Sequence, residues 1–416
     1  MSNLVYNTGI KAYKTSVKVA SLLGNDKAKK WLKGREGWQE ELQAFRKGKE
    51  DRSLIWFHAS SLGEFEQVKP LIERIKNTKE FEDYLVVVTF FSPSGYENSL
   101  AYDRADLLFY LPVDTPNNAQ QFLDILNPDI AVFVKYDFWF NLLDELQKRL
   151  TPIVYFSCNF REGQLFFKPY GKWQRSILQG IDSILTLNEQ SKRVLENNNF
   201  ENAKVCGDTR FDKVIDNAEK CTPVPIVEKF KNNKPLLIVG SSWQPEEKVI
   251  ADFVKTNQDI KVIIAPHDIS EKHLREIESL VPSAVRYSQI NEENVGETNV
   301  ILIDNIGLLS NLYQYADFAF IGGGFTNDLH NILEAAVFGN VVFFGNRHSK
   351  YPEGKELIEY GGAIEVKDSK DFTKELNQLL IDINKRKGIG KRAKEFVERH
   401  KGATDIVFEE VKRLMI

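Results

Sequence analysis

A serine and a glutamate stand three residues apart directly after an apolar run. The run at residues 54–58 leads into a segment with Ser61, Gly63 and Glu64, and apolar residues at helical spacing follow it. This order predicts a strand, a tight turn and a helix whose first turn carries the Glu64 carboxylate. A carboxylate there can act as a general base. It can equally close a capping box with Ser61, because Ser-x-x-Glu is the pattern of that motif.

A second set of polar residues lies in the other half of the chain. The apolar run at 318–321 leads into three glycines, 322–324, and then into His330 and Glu334, one helical turn apart. The glycines would let a ligand approach the backbone, and the carboxylate can accept two hydroxyl groups of a nucleotide sugar. A glycine turn with a polar cap is the alternative. His330 and Glu334 form one pair without a third ligand, so no metal site is predicted.

Three other places are candidates for contact with an anionic ligand. Gly307 begins a predicted helix after another apolar run, and backbone N–H groups at a helix start can hold a phosphate. Pro266 and His267 end a further run and are expected at the same edge of the second sheet. Arg210 is a cation that can face an anion or simply pair with Asp212.

The elements that must position these residues form two series of short apolar runs alternating with amphipathic stretches. Runs of this kind are typical of parallel strands covered by helices on both faces. The predicted strands lie at 54–58, 84–91, 107–111, 130–134, 153–156, 184–187, 203–206, 236–239, 262–264, 300–303, 318–321, 341–344 and 363–366. Each series has the length of an open, doubly wound α/β sheet, which binds ligands at the carboxyl ends of its strands.

The proline-containing stretch between the two series predicts a linker. The predicted divisions are a leading segment at 1–50, a first domain at 51–216, the linker at 217–234 and a second domain at 235–416. Two such sheets facing each other would form a cleft. The last helical stretch is a candidate to pack back across the linker.

The composition argues against several classes of protein. A net charge of −4 and an isoelectric point near 6.0 are not typical of nucleic-acid-binding chains, so no nucleic-acid partner is predicted. Three scattered cysteines favour a reducing compartment over a disulfide framework or a zinc cluster. The turn after the first run lacks the dinucleotide and P-loop patterns, and the chain has no Gly-x-Ser-x-Gly.

The first 35 residues are basic, with eight lysine or arginine residues against one aspartate. An apolar stripe at helical spacing is formed by Tyr6, Ile10, Tyr13, Val17 and Ala20. Trp31 and Trp38, set among cations, predict contact with lipid headgroups. The alternative is an ordinary helix packed on the first domain. Since no stretch reaches the roughly 18–20 apolar residues of a membrane span and no signal peptide is evident, we expect a peripheral protein in the cytoplasm.

Taken in order, the motifs resemble the 3-deoxy-D-manno-oct-2-ulosonic acid (Kdo) transferases of lipopolysaccharide assembly over nearly the whole chain. They are His58-x-x-Ser61-x-Gly63-Glu64, Phe138-Trp139-x-Asn141, Asn159-x-Arg161, Gly207-x-x-Arg210-Phe211-Asp212, the Gly322-Gly323 loop and His330-Asn331-x-Leu333-Glu334-Ala335-Ala336. The resemblance implies a GT-B fold with two Rossmann-like domains around a cleft, the first binding the acceptor and the second the donor. It also implies CMP-Kdo as donor, a lipid A precursor (lipid IVA) as acceptor, inversion at the anomeric carbon, and neither metal ion nor cofactor.

The resemblance also implies roles for individual residues. Glu64 corresponds to the general base that deprotonates the acceptor hydroxyl, and Arg210 takes the place of a family lysine thought to stabilise transition-state charge. The CMP group would lie against the second domain. Its implied contacts are Pro266, His267, Ile306, Gly307, Leu308, Asn331, Ile332, Leu333 and Glu334.

The chain departs from the family pattern at several positions. Lys135 replaces a glutamate thought to stabilise the transition state, so that role does not transfer, while Asp137 keeps a second carboxylate. His267 replaces a common arginine, and Leu308 replaces a glutamate. The leading hypothesis is a metal-independent, inverting Kdo transferase at the cytoplasmic face of the inner membrane, attached through residues 1–35. The alternatives are another GT-B transferase that uses a UDP-sugar, and a non-catalytic nucleotide- or glycolipid-binding relative.

Overall fold

The computed structural model describes residues 2–169 and 171–415, which form two compact units. One unit runs to Lys213 and resumes at Gly402; the other runs from Val214 to Lys401. The predicted linker, 217–234, lies in the second unit. Met1 of the predicted leading segment and Ile416 of the predicted second domain lie outside the described residues.

The first unit is built on a seven-stranded sheet whose strands are all parallel. The strands are β1 (Leu54–His58), β2 (Leu85–Phe90), β3 (Leu107–Tyr110), β4 (Ile130–Val134), β5 (Ile153–Cys158), β6 (Ser183–Thr186) and β7 (Ala203–Val205). Their order is β3-β2-β1-β4-β5-β6-β7, so the direction of winding reverses between β1 and β4. The side chains of β1, β2, β4 and β5 are buried throughout, which explains their continuous apolar runs.

Helices cover both faces of this sheet. They are α1 (Ser2–Leu22), α2 (Asp26–Lys33), α3 (Trp38–Arg46), α4 (Leu62–Lys76), α5 (Pro93–Glu97), α6 (Pro116–Leu126), α7 (Phe140–Lys148), α8 (Lys172–Gln179), α9 (Glu189–Glu196) and α10 (Thr209–Glu219), the last of which runs across the boundary into the second unit. One apolar cluster packs α3, α6 and α7 on the sheet, and another packs α4 on its opposite face.

The second unit repeats this architecture. Its strands are β8 (Leu236–Ser242), β9 (Lys261–Pro266), β10 (Ala284–Arg286), β11 (Val300–Leu302), β12 (Phe318–Ile321), β13 (Val341–Gly345) and β14 (Ala363–Val366), all parallel in the order β10-β11-β9-β8-β12-β13-β14. Its winding reverses between β8 and β12. The α/β prediction is confirmed, and every predicted strand is present. The sequence prediction missed β10, a three-residue edge strand whose side chains are only half-buried.

The remaining helices complete the second unit and return to the first. They are α11 (Pro225–Lys231), α12 (Gln244–Thr256), α13 (Glu271–Leu280), α14 (Leu309–Leu312), α15 (Leu333–Ala336), α16 (Pro352–Glu359), α17 (Ser369–Ile381), α18 (Ile383–Arg399) and α19 (Ala403–Met415). Short 3₁₀ turns lie at Lys79–Phe81, Leu165–Phe167, Tyr287–Gln289 and Tyr313–Tyr315. The chain turns between α18 and α19 at Gly402 (φ 106°), and α19 packs against α4.

The tryptophans of the basic segment are core residues and not headgroup contacts. Trp31 and Trp38 are 4% and 5% exposed, because Trp31 packs against Phe91 and Trp38 packs against Phe122. Arg35 is also enclosed: its guanidinium lies 4.0 Å from the centre of the Trp31 ring and donates hydrogen bonds to three backbone carbonyls. Burial lowers the pKa of Arg35 to about 9.

Helix α1 has two apolar faces, and the predicted stripe is the inner one. Tyr6 donates a hydrogen bond to Asp114 (2.6 Å), and the Tyr13 ring lies 5.9 Å from Phe91. The outer face is exposed to solvent. The Leu22 side chain is 87% exposed, and the other apolar residues of this face are at least 50% exposed. Its apolar residues are Leu4, Val5, Val19, Leu22 and Leu23. No helix among residues 2–169 and 171–415 combines the length and hydropathy needed to cross a bilayer.

Candidate functional site

In the first unit, polar side chains gather where the sheet reverses its winding. Strands β1 and β4 are neighbours, with His58 paired to Phe133, so the segments after the two strands emerge side by side. The first carries Glu64 and the second carries Lys135 and Asp137. The carboxyl ends of parallel strands at such a reversal are where doubly wound sheets bind ligands. The two motifs that stand 70 residues apart in the sequence therefore form one cluster.

Glu64 closes a capping box at the start of α4. The Glu64 backbone N–H donates to Ser61 Oγ (3.4 Å), and the Ser61 N–H donates to Glu64 Oε2 (3.2 Å). The capping interpretation of the sequence is therefore correct as far as it goes. It does not exclude a chemical role, because a carboxylate has more acceptor positions than this single backbone bond uses. Gly63 beside it is exposed, and no atom would obstruct a side chain there, so space over the helix start is open.

The surroundings of Glu64 favour its protonated form more than water does. Burial raises the pKa of Glu64 above its usual range, and the Asp137 carboxylate raises it further, while Lys135 and His58 lower it. A general base works best when its pKa lies near the operating pH. The direction of the shift is therefore favourable for catalysis, whereas a helix cap alone would need no such environment.

His58 is buried within this cluster. It is 1% exposed, and its Nε2 accepts a hydrogen bond from Trp139 Nε1 (2.9 Å). Its Nδ1 lies within hydrogen-bond distance of Thr89 Oγ1 (2.8 Å). Asp137 Oδ2 lies 3.5 Å from His58 Nε2 and is buried without a hydrogen-bond partner among the described residues.

The segment after β4 has an unusual backbone. Lys135 adopts a left-handed conformation (φ 60°), which is uncommon for a residue other than glycine, and its N–H donates to Phe156 O (3.0 Å). Tyr155 Oη donates to Asp137 O (2.7 Å), which fixes the position of the next turn. Strain of this type tends to occur at functional sites. It places Lys135 at the edge of the cluster, where the resemblance has a glutamate.

Asn141 of the Phe138-Trp139-x-Asn141 motif has a structural role. Its backbone N–H donates to Asp114 Oδ2 (3.0 Å) and its side-chain amide donates to Asp114 O (2.8 Å). The Leu142 N–H and Tyr6 Oη also donate to the Asp114 carboxylate, at 3.0 Å and 2.6 Å. Asp114 therefore ties α1 and the start of α7 to one buried point behind the cluster.

Arg210 pairs with Asp208. Its Nε donates to Asp208 Oδ2 at 2.8 Å, and Gln67, one turn after Glu64 on α4, donates to Asp208 Oδ1 at 2.8 Å. Burial alone would raise the pKa of Asp208, but the Arg210 guanidinium outweighs burial and holds that pKa below its usual range. Asp212 caps α19 by accepting the N–H groups of Gly402 and Thr404, both at 2.6 Å. Arg210 is thus set beside α4 with part of its guanidinium exposed.

In the second unit, three rings gather at the reversal between β8 and β12. Trp243 follows β8, and its Nε1 donates to His330 Nε2 (3.1 Å). The His267 ring lies 4.5 Å from that of His330 and 4.6 Å from that of Trp243. Burial lowers the pKa of His330, and the neighbouring His267 lowers it further. His330 is therefore neutral at physiological pH, in agreement with its acceptor role.

The three glycines after β12 are required by the protein's own backbone. A Cβ on Gly322 would lie 2.0 Å from Ser241 O, and one on Gly323 (φ 83°) would lie 1.9 Å from Asp328 O. A Cβ on Gly324 would lie 2.4 Å from the backbone nitrogen of Gly345. The expectation that these glycines open space for a ligand is wrong, because neighbouring strands and loops occupy that space. At Gly307 (φ 90°), in contrast, no atom lies within 4 Å of the position that a Cβ would occupy.

The predicted donor residues fall into two groups. Pro266 ends β9 and His267 follows it as one of the stacked rings, whereas the other predicted contacts flank α14 and α15. Among the latter, Ile306 and Gly307 are exposed, Leu308 is half-buried, and Ile332 and Leu333 are buried, so the last two can offer a ligand only their backbone. Asn331 donates to Glu334 Oε1 (3.1 Å) and accepts from the Leu333 N–H.

Glu334 lines a cavity of about 220 Å³ within the second unit. The other polar residues that line it are Asn217, Lys220, Ser310 and Asn311. The sequence analysis did not select Lys220 or Trp243. Trp243 follows a predicted strand that proved three residues longer than expected, so its position at the sheet edge could have been inferred. Lys220 lies in the predicted linker, where nothing in the sequence distinguishes it from its neighbours.

Comparison with known proteins agrees with this geometry. Residues 36–213 match the family described as 3-deoxy-D-manno-octulosonic-acid transferase (kdotransferase). The 3-deoxy-D-manno-octulosonic acid transferase of Rickettsia bellii is 26% identical over 397 residues, covering 90% of this chain and 92% of that protein. The Aquifex aeolicus protein of the same name is also 26% identical, covering 79% of this chain and 86% of the relative. A Fusobacterium nucleatum bifunctional glycosyltransferase/methyltransferase is 26% identical as well, but the chain spans only 54% of its length.

Solved structures support the fold. The UDP-GlcNAc 2-epimerase of Neisseria meningitidis has a TM-score of 0.61 at 14% identity, covering 87% of this chain and 100% of that one. MurG of Acinetobacter baumannii has a TM-score of 0.54 at 13% identity, covering 87% and 99%. At this identity the likeness shows the fold alone, which is the GT-B fold with two Rossmann-like domains. The ordered motifs, the family match over residues 36–213 and relatives matched over most of the chain agree, and the chain is similar to the 3-deoxy-D-manno-octulosonic acid transferases.

Proposed function

We propose that the protein transfers Kdo from CMP-Kdo to a lipid A precursor, lipid IVA, with inversion at the anomeric carbon and Glu64 as general base. The observation that carries this proposal is the environment of Glu64. It lies at the reversal point of the first sheet, next to open space, and its pKa is raised by burial and by Asp137. A sugar hydroxyl is a weak nucleophile, so a positioned base of this kind is what the reaction needs.

In the proposed reaction, the acceptor hydroxyl oxygen attacks the anomeric carbon of Kdo from the side opposite CMP. The bond from that carbon to the phosphate oxygen breaks, CMP leaves with the electron pair, and Glu64 takes the hydroxyl proton. Arg210 is proposed to stabilise negative charge as it develops, because a guanidinium fixed by Asp208 is preorganised for that purpose. No residue of this scheme calls for a metal ion or cofactor.

The second unit is proposed to bind CMP-Kdo. Glu334 is placed to accept the ribose hydroxyls, and the cavity that it lines also presents the Lys220 ammonium, which suits a phosphate. Pro266 and His267, the segment Ile306, Gly307 and Leu308, and the segment from Asn331 through Ile332 and Leu333 complete the proposed contacts. The open backbone at Gly307 supports a close approach by the ligand.

The protein is proposed to act at the cytoplasmic face of the inner membrane, attached peripherally or monotopically through residues 1–35. Support comes from the exposed outer face of α1, which Lys11, Lys14 and Lys18 flank on one side at helical spacing. Apolar residues beside exposed lysines suit an anionic bilayer surface. In this proposal the outer face of α1 contacts the bilayer. Trp31 and Trp38 do not contact it, because they are buried in the core.

The direct test is incubation of the purified protein with CMP-Kdo and vesicles that contain tetraacylated lipid A precursor. We expect CMP release that depends on the acceptor and is inhibited by added CMP. Inhibition by UDP but not by CMP would replace this proposal with a UDP-sugar transferase. Donor binding without turnover would replace it with a non-catalytic relative.

A further inference from the structure

An apolar groove runs along the inner side of α1 in the first unit. Its volume is about 450 Å³, within the range of small-molecule sites. Its apolar walls come from α1, α2 and the loop after β2, and Lys27 lies at its rim. The residues that form the apolar surface are Val17, Ala20, Ala28, Trp31 and Phe91.

The groove ends next to the Glu64 cluster. Its Phe91 wall also packs against Trp139, with 4.8 Å between ring centres, and Trp139 donates to His58. Ser92, which lines the groove, donates its N–H to Ser60 O (2.9 Å), four residues before Glu64. The groove is therefore connected to this cluster through Phe91, Trp139 and His58.

We propose that this groove binds one acyl chain of the lipid acceptor, which holds the sugar headgroup against the Glu64 cluster. The inference rests on the proposed function and adds a subsite to it. The groove is apolar along its length and has a lysine at its rim, which complements an acyl chain joined to an anionic headgroup. Val19 and Leu23, which lie one and three residues from Ala20, are exposed apolar side chains close in sequence to the groove.

Monomeric n-alkyl phosphates test the groove without catalysis. Affinity for the wild-type protein is expected to rise by about fourfold for each methylene from octyl to dodecyl phosphate, since each buried methylene contributes a fixed increment. Ala20→Trp fills the groove and should abolish this dependence on chain length. Ala44→Trp, the same change at an exposed position on α3, should keep it. If Ala20→Trp does not fold, Val17→Asp is used in its place. It puts a charge in the groove and should also abolish the dependence on chain length.

Equal chain-length dependence in wild type, Ala20→Trp and Val17→Asp would overturn the proposal. Steady-state kinetics distinguish a failure of the groove proposal from a failure of the proposed function. Ala20→Trp is expected to raise KM for the acylated acceptor by at least ~15-fold, the equivalent of two lost methylenes, with kcat and CMP binding unchanged. Kdo transfer with the same KM by the wild type and by Ala20→Trp would contradict acyl-chain binding in the groove but not the proposed function. If alkyl phosphates bind in the groove but the wild type transfers no Kdo, the proposed function is wrong, and so is the proposal that the groove binds the lipid acceptor.

Discussion

Replacing Glu64 by glutamine separates the two roles that this residue can have. Glutamine keeps an oxygen that can accept the Ser61 N–H, so the capping box can persist. It lacks the negative charge that would take a proton from the acceptor. Glu64→Ala removes both functions and serves as the comparison.

The expected magnitudes differ clearly between the two roles. General bases contribute about 10²–10⁴-fold to turnover, so Glu64→Gln should lower kcat by at least ~100-fold while CMP binding is retained. Loss of the hydrogen bond from the Ser61 N–H costs about 0.5–1.5 kcal/mol of folding free energy, so Glu64→Ala should be less stable than Glu64→Gln by about that amount. Glu66→Gln, two residues further along α4 in a surface pair with Lys69, should leave turnover unchanged.

The assay combines initial rates of Kdo-lipid formation with urea unfolding of the same preparations. Because burial and Asp137 raise the pKa of Glu64, the acid limb of kcat/KM against pH should lie above the usual range of a glutamate. The base must be deprotonated, so kcat/KM falls as the pH falls through that raised pKa. Asp137→Asn removes a like charge and should move the limb to lower pH. If Glu64→Gln has near-normal turnover and Glu64→Ala loses only stability, Glu64 is not the general base. Its role would then be limited to the capping box.

Three further outcomes are expected. Asp114→Ala leaves three hydrogen-bond donors without their buried acceptor and should lower the free energy of unfolding in urea by ~2–4 kcal/mol; an unchanged midpoint would contradict the buried network. Exchanging Lys11, Lys14 and Lys18 for glutamate should weaken cosedimentation with anionic vesicles, with about 1 kcal/mol lost per lysine near the surface, and unchanged sedimentation would refute that attachment. Lys220→Met should weaken CMP binding by at least ~10-fold in calorimetry, whereas unchanged affinity would remove Lys220 from the donor site.

The sheets could be predicted from the sequence because strands buried on both faces have continuous apolar runs. Such runs located every strand except β10, which is too short and too exposed to produce one. The order of the strands brought Glu64 next to Asp137, and no pattern in the sequence states which strands are neighbours. The cluster around Glu64 is therefore a product of topology.

The sequence predictions were wrong where the same residue spacing is compatible with two different structures. The basic segment has two apolar faces on α1, and periodicity alone does not say which one packs inward. In the structure the Tyr6 face is half-buried against the first unit, with Tyr13 still 44% exposed, and the Leu22 face is exposed. A glycine run can admit a ligand or another backbone, and here the carbonyls of Ser241 and Asp328 fill the space.

Mass spectrometry of the lipid product tests the central claim most directly. Purified protein is incubated with CMP-Kdo and tetraacylated lipid A precursor, and the lipid fraction is analysed together with a parallel Glu64→Gln reaction. The proposed function predicts that the precursor gains the mass of one or more whole Kdo residues with the wild type and remains unmodified over the same interval with the variant. An unmodified precursor with folded wild-type protein, or equal product from both proteins, would contradict it.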